Sequence, residues 1–330
     1  MKKKALKRML MLSMMVVVIA VLTVGCGSKN NTNTATTEGN AAEASKEAVT
    51  LSLGLLPSID AIPFVIAHEQ GFDKKHGVNL DIQTFKSAKD RDVAFQAGKL
   101  EGISADLVAI SIYNEAGLDV KITSTTFGEF DLLTGYDAVQ DVKDLKGKTV
   151  ILSKNTSTQY TVAMMLKQAG LTEDDITVTE VPQIPTRLEL LKNNKADAAI
   201  LPEPFVTMGK ASGLRVLSST HTAGVNPFVL AFPQTAIDAK ADAIRNMYAA
   251  YDEAVAYMKS HDQSEYIDLV IKEVGYPETL KDEIKVPDYV PANQVDVKEV
   301  EAAFAWAREK GLLSKNISAE DVISDVQFKK

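Results

Sequence analysis

Three short polar stretches each follow an apolar run of the chain and precede a helical pattern. The first holds Ser58 and Asp60, the second Asp106, and the third Ser157 and Thr158. Side chains of these types cap helix N-termini, where unpaired backbone N–H groups also bind ligands. Capping alone explains each residue taken singly. Because all three stretches share the same chain context, we interpret them together as the polar lining of a ligand-binding site.

Five further residues are candidates for the rest of this site: the carboxylates of Glu129 and Glu203 and the aromatic rings of Phe127, Tyr160 and Phe228. Glu203 lies between two prolines, so a stiff loop would present its carboxylate, although a solvated glutamate gives the same pattern. The rings would provide walls against which a flat ligand stacks. Packing in the hydrophobic core is the alternative for each ring.

The charges in these stretches favour one class of ligand. Carboxylates predominate, and Lys154 is the one basic residue among the candidate loops. Oxyanions are held best by the two-pronged guanidinium of arginine. No arginine lies in a candidate loop, although Arg187 begins a helix near Pro185 and could reach the site. We therefore expect a neutral ligand or one with an amino or nitrogen-heterocycle group, not a strong anion. Because helix N-termini also hold anions, nitrate and sulfonates stay open.

Motifs of catalysis and metal binding are missing from the sequence. "KGKT" at residues 146–149 resembles the end of a phosphate loop, but Val142 stands where that motif requires glycine. The chain also lacks G-x-S-x-G and H-E-x-x-H. Its four histidines include no close pair suited to a metal, and there is a single cysteine. We expect a protein that is not an enzyme and uses neither a cofactor nor a metal.

The N-terminal segment is typical of an exported lipoprotein. A basic stretch over residues 2–8 precedes an apolar run over residues 9–24, which is short for a membrane span. The single cysteine, Cys26, ends the segment "LTVGC", which resembles a bacterial lipobox. We therefore predict a signal peptide over residues 1–25, lipidation of Cys26 and a flexible tether over residues 26–48. An uncleaved membrane anchor is the alternative.

Charge and periodicity describe the body that follows. The formal net charge is −8, and removing the five basic residues of the signal from 36 leaves 31 against 44 acidic ones, a net charge of −13. This acidity speaks against a nucleic-acid partner. Strand-like runs alternate with helical patterns from residue 49 onward, which predicts parallel sheets built from βαβ units. From about Ile237, long amphipathic helices follow without strands between them.

Four blocks of sequence, in this order, resemble one known family: "LLPSIDAIPFVIAHEQGFDKKHGVNLDIQTF", "AGKLEGISADLVA", "DLKGKTVILSKNTSTQY" and "NNKADAAILPEPF". The family is that of bacterial ABC-importer substrate-binding proteins, in the branch that includes nitrate, taurine and sulfonate binders and the NMT1/THI5-like pyrimidine binders. The resemblance implies an α/β, two-lobe type II periplasmic-binding-protein fold. Each lobe would be a largely parallel sheet flanked by helices, and two crossing strands would join the lobes. It places lobe I at residues 49–127 and 228–330, lobe II at residues 128–227, and the crossings at "TTFGEF" and "NPFVLAF".

The resemblance also implies a function. The protein would be a monomer, lipid-anchored on the outer side of the cell membrane, that captures a small molecule by hinge closure and delivers it to an ABC permease with a cytoplasmic ATPase. Of the family's ligands, the thiamine-precursor aminopyrimidine best suits the carboxylates and rings. The alternatives are a binder of nitrate, taurine or another sulfonate, a solute sensor for a membrane receptor, and an enzyme similar to fungal pyrimidine synthases. The enzyme is disfavoured because those synthases carry a cysteine-rich motif and no export signal.

Overall fold

The structure is a computed structural model that describes residues 48–329. The predicted signal peptide, Cys26 and the tether up to residue 47 lie outside these residues. Within the described part of the chain, no helix combines the length and the apolar character that crossing a bilayer requires.

Ten strands form two five-stranded sheets in the described residues. The strands are β1 (Val49–Leu55), β2 (Val78–Thr84), β3 (Gly102–Asp106), β4 (Val120–Thr125), β5 (Phe130–Thr134), β6 (Thr149–Leu152), β7 (Thr177–Glu180), β8 (Ala198–Pro202), β9 (Arg215–Ser219) and β10 (Phe228–Pro233). The first sheet contains β1 to β4 and β10, and the second contains β5 to β9. The chain therefore passes between the sheets twice, over residues 126–129 and 220–227.

The two sheets have the same topology. Their strand orders are β2-β1-β3-β10-β4 and β7-β6-β8-β5-β9. In each sheet the first three strands pair in parallel, and the fourth, β10 or β5, pairs antiparallel with both neighbours. Four strands of each sheet thus run one way, as a largely parallel sheet requires. The reversed strand enters directly from the other sheet and not through a helical crossover, which explains its opposite direction.

Helices cover both sheets. They are α1 (Ile62–Glu69), α2 (Phe72–Lys75), α3 (Ala88–Gln96), α4 (Leu107–Glu115), α5 (Ser157–Gln168), α6 (Ile184–Lys192), α7 (Phe205–Ala211), α8 (Gln234–Ser260), α9 (Ile267–Val274), α10 (Val297–Glu309) and α11 (Ala319–Val322). The 27-residue α8 is the first of the long C-terminal helices that the sequence predicts, and its backbone departs from helical geometry at Lys240.

Each sheet buries apolar side chains on both faces, as strand alternation requires. In β5, Leu132 packs in one cluster with residues of α5, whereas Leu133 packs in another with residues of α6 and α7. In the first sheet, Leu53 packs with residues of α1, α8 and α9, and Ile103 with residues of α4 and α10. These two-sided cores hold the ends of the strands in place.

Side-chain caps fix three helix starts that follow strands. Ser87 caps α3, Asp106 caps α4 through a hydrogen bond from the Ala109 N–H (2.9 Å), and Thr156 caps α5. Each cap satisfies a backbone N–H that has no partner within its helix. The loops that lead into these helices therefore have defined conformations, and so do the polar side chains on them.

Candidate ligand-binding site

A cavity of about 370 Å³ lies between the two sheets, where strands of both sheets end. In the first lobe it is lined from residues 56–60 after β1, from α3 and from residues 104–106 at the end of β3. In the second lobe it is lined from residues 153–158 after β6 and from residues 180–187, which run from β7 into α6. Ligands of open α/β sheets bind at the carboxyl ends of strands, and small-molecule sites have volumes of about 300–1,000 Å³.

Seven of the ten predicted ligand-binding residues line this cavity. They are Ser58, Asp60, Asp106, Glu129, Ser157, Thr158 and Phe228. The three polar stretches that the sequence suggests as one lining do meet, because the strands before them end at the same cleft. That these residues contact a ligand stays a prediction.

Asp60 and Asp106 are the buried carboxylates of the first lobe, each 7 % exposed. Asp60 accepts a hydrogen bond from the Ser58 hydroxyl, and Asp106 accepts one from the Ala109 N–H at 2.9 Å. Burial raises the pKa of both carboxyl groups, and their hydrogen bonds and the charge of Arg91 offset this only in part. A ligand that brings N–H donors or a positive charge would relieve that cost.

Arg91, on α3, stands beside these carboxylates and is 2 % exposed. Its Nε and Nη2 donate to Asp92 Oδ1 at 3.0 and 2.7 Å, and its Nη1 donates to the Ser104 carbonyl oxygen. Burial disfavours the charged form of Arg91, but Asp92 and further anionic neighbours outweigh burial and raise its pKa. The first lobe therefore presents a neutralised ion pair together with two acidic groups.

Arg187, on α6, lines the opposite wall and is 3 % exposed. Its guanidinium donates to three carbonyl oxygens: Nε to Val181 (2.7 Å), Nη2 to Pro182 (3.2 Å) and Nη1 to Ile200 (3.3 Å). It forms no ion pair with any carboxylate of residues 48–329. Burial lowers the pKa of Arg187 to about 10. The second lobe therefore keeps an unneutralised positive charge at the cavity.

The start of α5 supplies hydroxyl groups to the same wall. The Thr158 hydroxyl accepts a hydrogen bond from the Ser153 N–H (3.1 Å) and lies 2.8 Å from the Thr156 hydroxyl, so it holds the loop together. Ser157, the first residue of α5, is 3 % exposed, lines the cavity and hydrogen-bonds the Asp106 side chain of the first lobe. Ser157 is therefore the better placed of the two predicted hydroxyls to meet a ligand.

An aromatic pair lines the cavity. Phe130 and Phe228 begin the two reversed strands, and their ring centroids lie 4.7 Å apart. Gly128, on the first crossing segment, packs directly on the Phe228 ring, since a Cβ atom there would lie 2.4 Å from that ring. The first crossing segment is thus tightly packed against the start of β10, and glycine is required at this contact.

Two predicted aromatic walls lie elsewhere. Phe127 is 38 % exposed and packs edge-on against Tyr289, with 5.6 Å between ring centroids. Tyr160 is 2 % exposed and packs edge-on against Trp306 at 5.7 Å. Neither ring lines the cavity. For Tyr160, core packing, which the sequence leaves open as the alternative, is what the structure shows.

Glu203 also lies away from the cavity. Its carboxylate turns toward α7 and accepts hydrogen bonds from the Thr207 N–H (3.0 Å) and hydroxyl (2.9 Å). Nearby, the Oδ1 atom of Asp131 is buried without a hydrogen-bond partner, and burial followed by the charges of Glu129 and Glu203 raises the pKa of Asp131 to about 7. Among the described residues, no three or more His, Cys, Asp or Glu side chains are placed to hold a metal ion.

The residues that sequence reasoning missed belong mainly to α3. Ser87, Lys89, Arg91, Asp92 and Gln96 all line the cavity. The segment reads as an ordinary amphipathic helix, so no local motif reveals its role. One long-range regularity exists: Arg91 and Arg187 each donate to a carbonyl oxygen 13 residues later, that of Ser104 or Ile200, in the middle of the strand that follows their helix. The correspondence between these two hydrogen bonds is visible only when the strand orders of the two sheets are compared.

Two mixed sheets with helices on both faces and a cleft between them define a periplasmic-binding-protein fold. The chain is similar in structure to the periplasmic aliphatic sulphonate binding protein SsuA of Escherichia coli, with a TM-score of 0.71 at 18% identity over 85% of this chain and 92% of that one. It also matches the periplasmic nitrate-binding protein NrtA of Synechocystis, with a TM-score of 0.67 at 14% identity over 86% and 88%. The fold prediction is confirmed. A desulfurization enzyme, DSZB, has a similar fold (TM-score 0.64, 12% identity, 84% and 96% covered), so fold alone does not separate binding from catalysis.

The chain belongs to the NMT1/THI5-like family, whose sequence profile matches residues 58–265, more than half of the chain. A putative ABC transporter periplasmic binding protein of Brachyspira hyodysenteriae is 23% identical over 211 residues, 58% of this chain and 60% of that protein. The riboflavin-binding protein RibY of Chloroflexus aurantiacus is 22% identical over 185 residues, 53% of this chain and 52% of that protein. The aligned part thus spans about half to three-fifths of these relatives' length.

Proposed function

We propose that the protein is an extracytoplasmic solute-binding lipoprotein of an ABC importer, and that it binds its ligand without changing it. The observation that carries this proposal is the cavity of about 370 Å³ between two sheets that the chain joins by two crossings. Lobe I (residues 49–127 and 228–330) and lobe II (residues 128–227) would rotate about these crossings and close on a solute. The name of the Brachyspira relative supports the assignment.

In this proposal a monomer delivers the solute to a permease with a cytoplasmic ATPase. The permease would recognise the closed form, whose population rises only because the ligand binds it more tightly than the open form. Small-angle scattering of the mature protein should show a more compact particle when ligand is added. Chromatography of the released ligand should recover it unaltered; a chemically changed product would overturn the assignment as a binder.

The proposed ligand carries nitrogen donors. Burial raises the pKa of Asp60 and of Asp106 and so disfavours their charged forms, and an amino group or a protonated ring nitrogen bound by them would offset that cost. Phe130 and Phe228 offer apolar faces to a flat ring. A thiamine-precursor aminopyrimidine has both features. RibY, a relative named for binding riboflavin, supports a nitrogen heterocycle.

A second candidate is nitrate, taurine or another sulfonate. It is favoured by the buried Arg187, which lacks a carboxylate partner in the described residues, and by the names of SsuA and NrtA. Calorimetric titration with an aminopyrimidine and with taurine separates the two candidates. We expect the aminopyrimidine to bind and the Asp106→Asn variant to weaken it. Tight taurine binding that Arg187→Ala abolishes and Asp106→Asn leaves unchanged would establish the second candidate instead.

Membrane attachment through Cys26 is part of the proposal and concerns residues outside the described range. Two acyl chains suffice for stable anchoring, whereas one is marginal. The Cys26→Ser variant should leave the membrane fraction or retain an uncut signal. A mature N-terminus at any residue other than Cys26, measured by mass spectrometry of the wild type, would exclude the lipoprotein.

A further inference from the structure

The two lobes are in contact along α5 and α10, beside the second crossing. Tyr160 of α5 is 2 % exposed and lies in a hydrophobic cluster whose other buried members belong to lobe I, where its ring packs against Trp306 of α10. Val225, on the second crossing, packs against this cluster and also against one of lobe II. Apolar burial holds the helices together but has no direction. It therefore does not by itself fix the position of any polar group in the cavity.

An ion pair joins the lobes next to this apolar contact. Lys310, the residue that follows α10, has its Nζ atom 2.5 Å from Oε2 of Glu173, which lies between α5 and β7 in lobe II. The two side chains are 29 % and 15 % exposed, so the pair is partly shielded from water. The same ammonium group lies 5.9 Å from the centroid of the Trp306 ring. A lysine of lobe I thus contacts a carboxylate of lobe II in a defined geometry.

Glu173 connects this ion pair to the cavity loop, which we define as residues 153–158. Its second carboxylate oxygen, Oε1, accepts a hydrogen bond from Nε2 of Gln159 at 2.7 Å. Oε1 of Gln159 in turn accepts a hydrogen bond from the Asn155 N–H, also at 2.7 Å. An amide side chain that donates through its nitrogen and accepts through its oxygen satisfies both partners in one orientation only. Lys310, Glu173, Gln159 and Asn155 therefore form a continuous chain of polar contacts from lobe I to the cavity loop.

Asn155 is the residue through which the cavity loop depends on this chain. Its backbone has a φ of 58°, a left-handed conformation that costs free energy for residues other than glycine, although less for asparagine than for most. Its neighbours Ser153, Lys154 and Thr156 line the cavity. The hydrogen bond from the Asn155 N–H to Gln159 favours this conformation, and the conformation sets the directions of the neighbouring side chains.

We propose that Lys310, Glu173 and Gln159 are positioning residues, which form a relay through which contact between the lobes orders the cavity loop. Lys310 orients Glu173, Glu173 orients the Gln159 amide, and that amide holds Asn155 in its left-handed conformation. A rotation of the lobes that separates Lys310 from Glu173 releases the loop. The inference rests on the lobe motion of the proposed function, but it involves no particular ligand.

The relay is tested by amide hydrogen exchange of the cavity loop in the protein purified without ligand. Lys310→Met keeps an apolar stem beside Trp306 but removes the charge, so exchange of residues 153–158 should become about three- to tenfold faster, as expected for loss of one hydrogen bond of a network. Lys310→Arg keeps the cation and should preserve slow exchange. Lys298→Met is the matched control, because Lys298 is an exposed lysine in the first turn of the same helix, and it should leave the loop unchanged.

A double variant separates a relay from two independent effects. Gln159→Leu removes the last step of the relay and should speed loop exchange at least as much as Lys310→Met. Adding Lys310→Met to Gln159→Leu should then have no further effect, because residues of one network are not additive. Both lysine variants should melt close to the wild type, since ion pairs near the surface contribute little to stability.

Three results would overturn the relay: unchanged loop exchange in Lys310→Met, an equal change in Lys298→Met, or effects of Lys310→Met and Gln159→Leu that multiply in the double variant. Because these measurements contain no ligand, failure of the relay would leave the proposed solute binding intact. The binding function fails only if the titrations with solutes fail.

Discussion

Arg91 on α3 and Arg187 on α6 occupy equivalent positions, because each helix connects the first and third strands of its sheet order. Within residues 48–329, however, only Arg91 of the two is paired with a carboxylate. Arg91 is paired with Asp92 and faces two buried carboxylates, while Arg187 is held by backbone oxygens alone. Both guanidinium groups donate to a carbonyl oxygen in the middle of the strand that follows their helix. The difference lies in the neighbouring residues, and it gives the two walls of the cavity opposite polarity. We therefore expect ligand specificity to be set by a few side chains placed on a repeated framework.

The largest expected effect on ligand affinity is that of Asp106→Asn, in the acidic wall of the cavity, which we define by Asp60 and Asp106. Asparagine keeps the cap of α4 but removes the charge, so the affinity for a nitrogen-bearing ligand should fall roughly 100-fold, because loss of one partner of a buried charge pair costs about 2–5 kcal/mol. Calorimetry measures this loss of affinity.

The ligand-free Asp106→Asn variant should melt above the wild type at neutral pH, since burial raises the pKa of Asp106 and so disfavours its ionised form in the fold. The gain should vanish at acidic pH, where the carboxyl is protonated. Unchanged affinity would contradict the assignment of the acidic wall.

A buried carboxylate, Asp131, distinguishes the reversed strand β5 from the reversed strand β10. It follows Phe130 in β5, where Val229 follows Phe228 in β10. With a pKa raised to about 7 from an ordinary 3.8, Asp131 costs the wild type stability as pH rises through that interval. Asp131→Asn should therefore match the wild type near pH 4 and exceed it by about 1–3 kcal/mol above pH 7. Urea unfolding at a series of pH values tests this, and a constant difference at all pH values would count against it.

Gly128→Ala tests the crossing beneath the cavity. The new methyl group would overlap the Phe228 ring, so we expect a loss of about 1–3 kcal/mol of unfolding free energy. Because the crossing is also the proposed hinge, ligand affinity should fall with it. The matched change at Gly147, which lies on a distant turn at a positive φ of 73° with nothing within 4 Å of a new Cβ, should cost stability but leave affinity unchanged. Equal affinity losses in the two variants would contradict a special role for the crossing.

Glu203→Gln should have the smallest effect. The glutamine oxygen can still accept from Thr207, and the side chain does not line the cavity. Affinity should stay within about threefold of the wild type and unfolding free energy within about 0.5 kcal/mol, the range of changes away from critical features. A tenfold loss of affinity, measured beside Asp106→Asn, would show that Glu203 reaches the ligand after closure.

The sequence predicts the framework better than the side chains. Alternating strands and helices indicate parallel sheets, but the reversal of β5 and β10 is not visible, because it arises where the chain changes lobes. Phe127 and Phe228 both adjoin the crossings, yet Phe228 points into the cavity and Phe127 outward. A one-residue change of phase in an extended segment reverses which side a ring faces, and local sequence does not fix that phase.

The arginines show the same limit. Arg91 lies inside a helix with no motif around it, and its role follows only from the approach of Asp92 and of the Ser104 carbonyl oxygen. Arg187 is visible as a residue near a helix start, but its unneutralised charge depends on which carboxylates fold close to it. Polar residues at strand ends are predictable because topology brings strand ends together. Residues within helices are not, because their neighbours come from distant parts of the chain.

The central claim, that the acidic wall of the cleft binds a nitrogen-bearing solute, is tested most directly by a thermal-shift screen of the wild type and Asp106→Asn. The panel should contain nitrogen heterocycles, amines, sulfonates and inorganic oxyanions, because a ligand of the folded state raises the melting temperature by mass action. We predict that the largest shifts come from compounds with an amino or ring N–H group and disappear in the variant. Shifts confined to compounds without an amino or ring N–H group, or shifts of equal size in Asp106→Asn, would contradict the account.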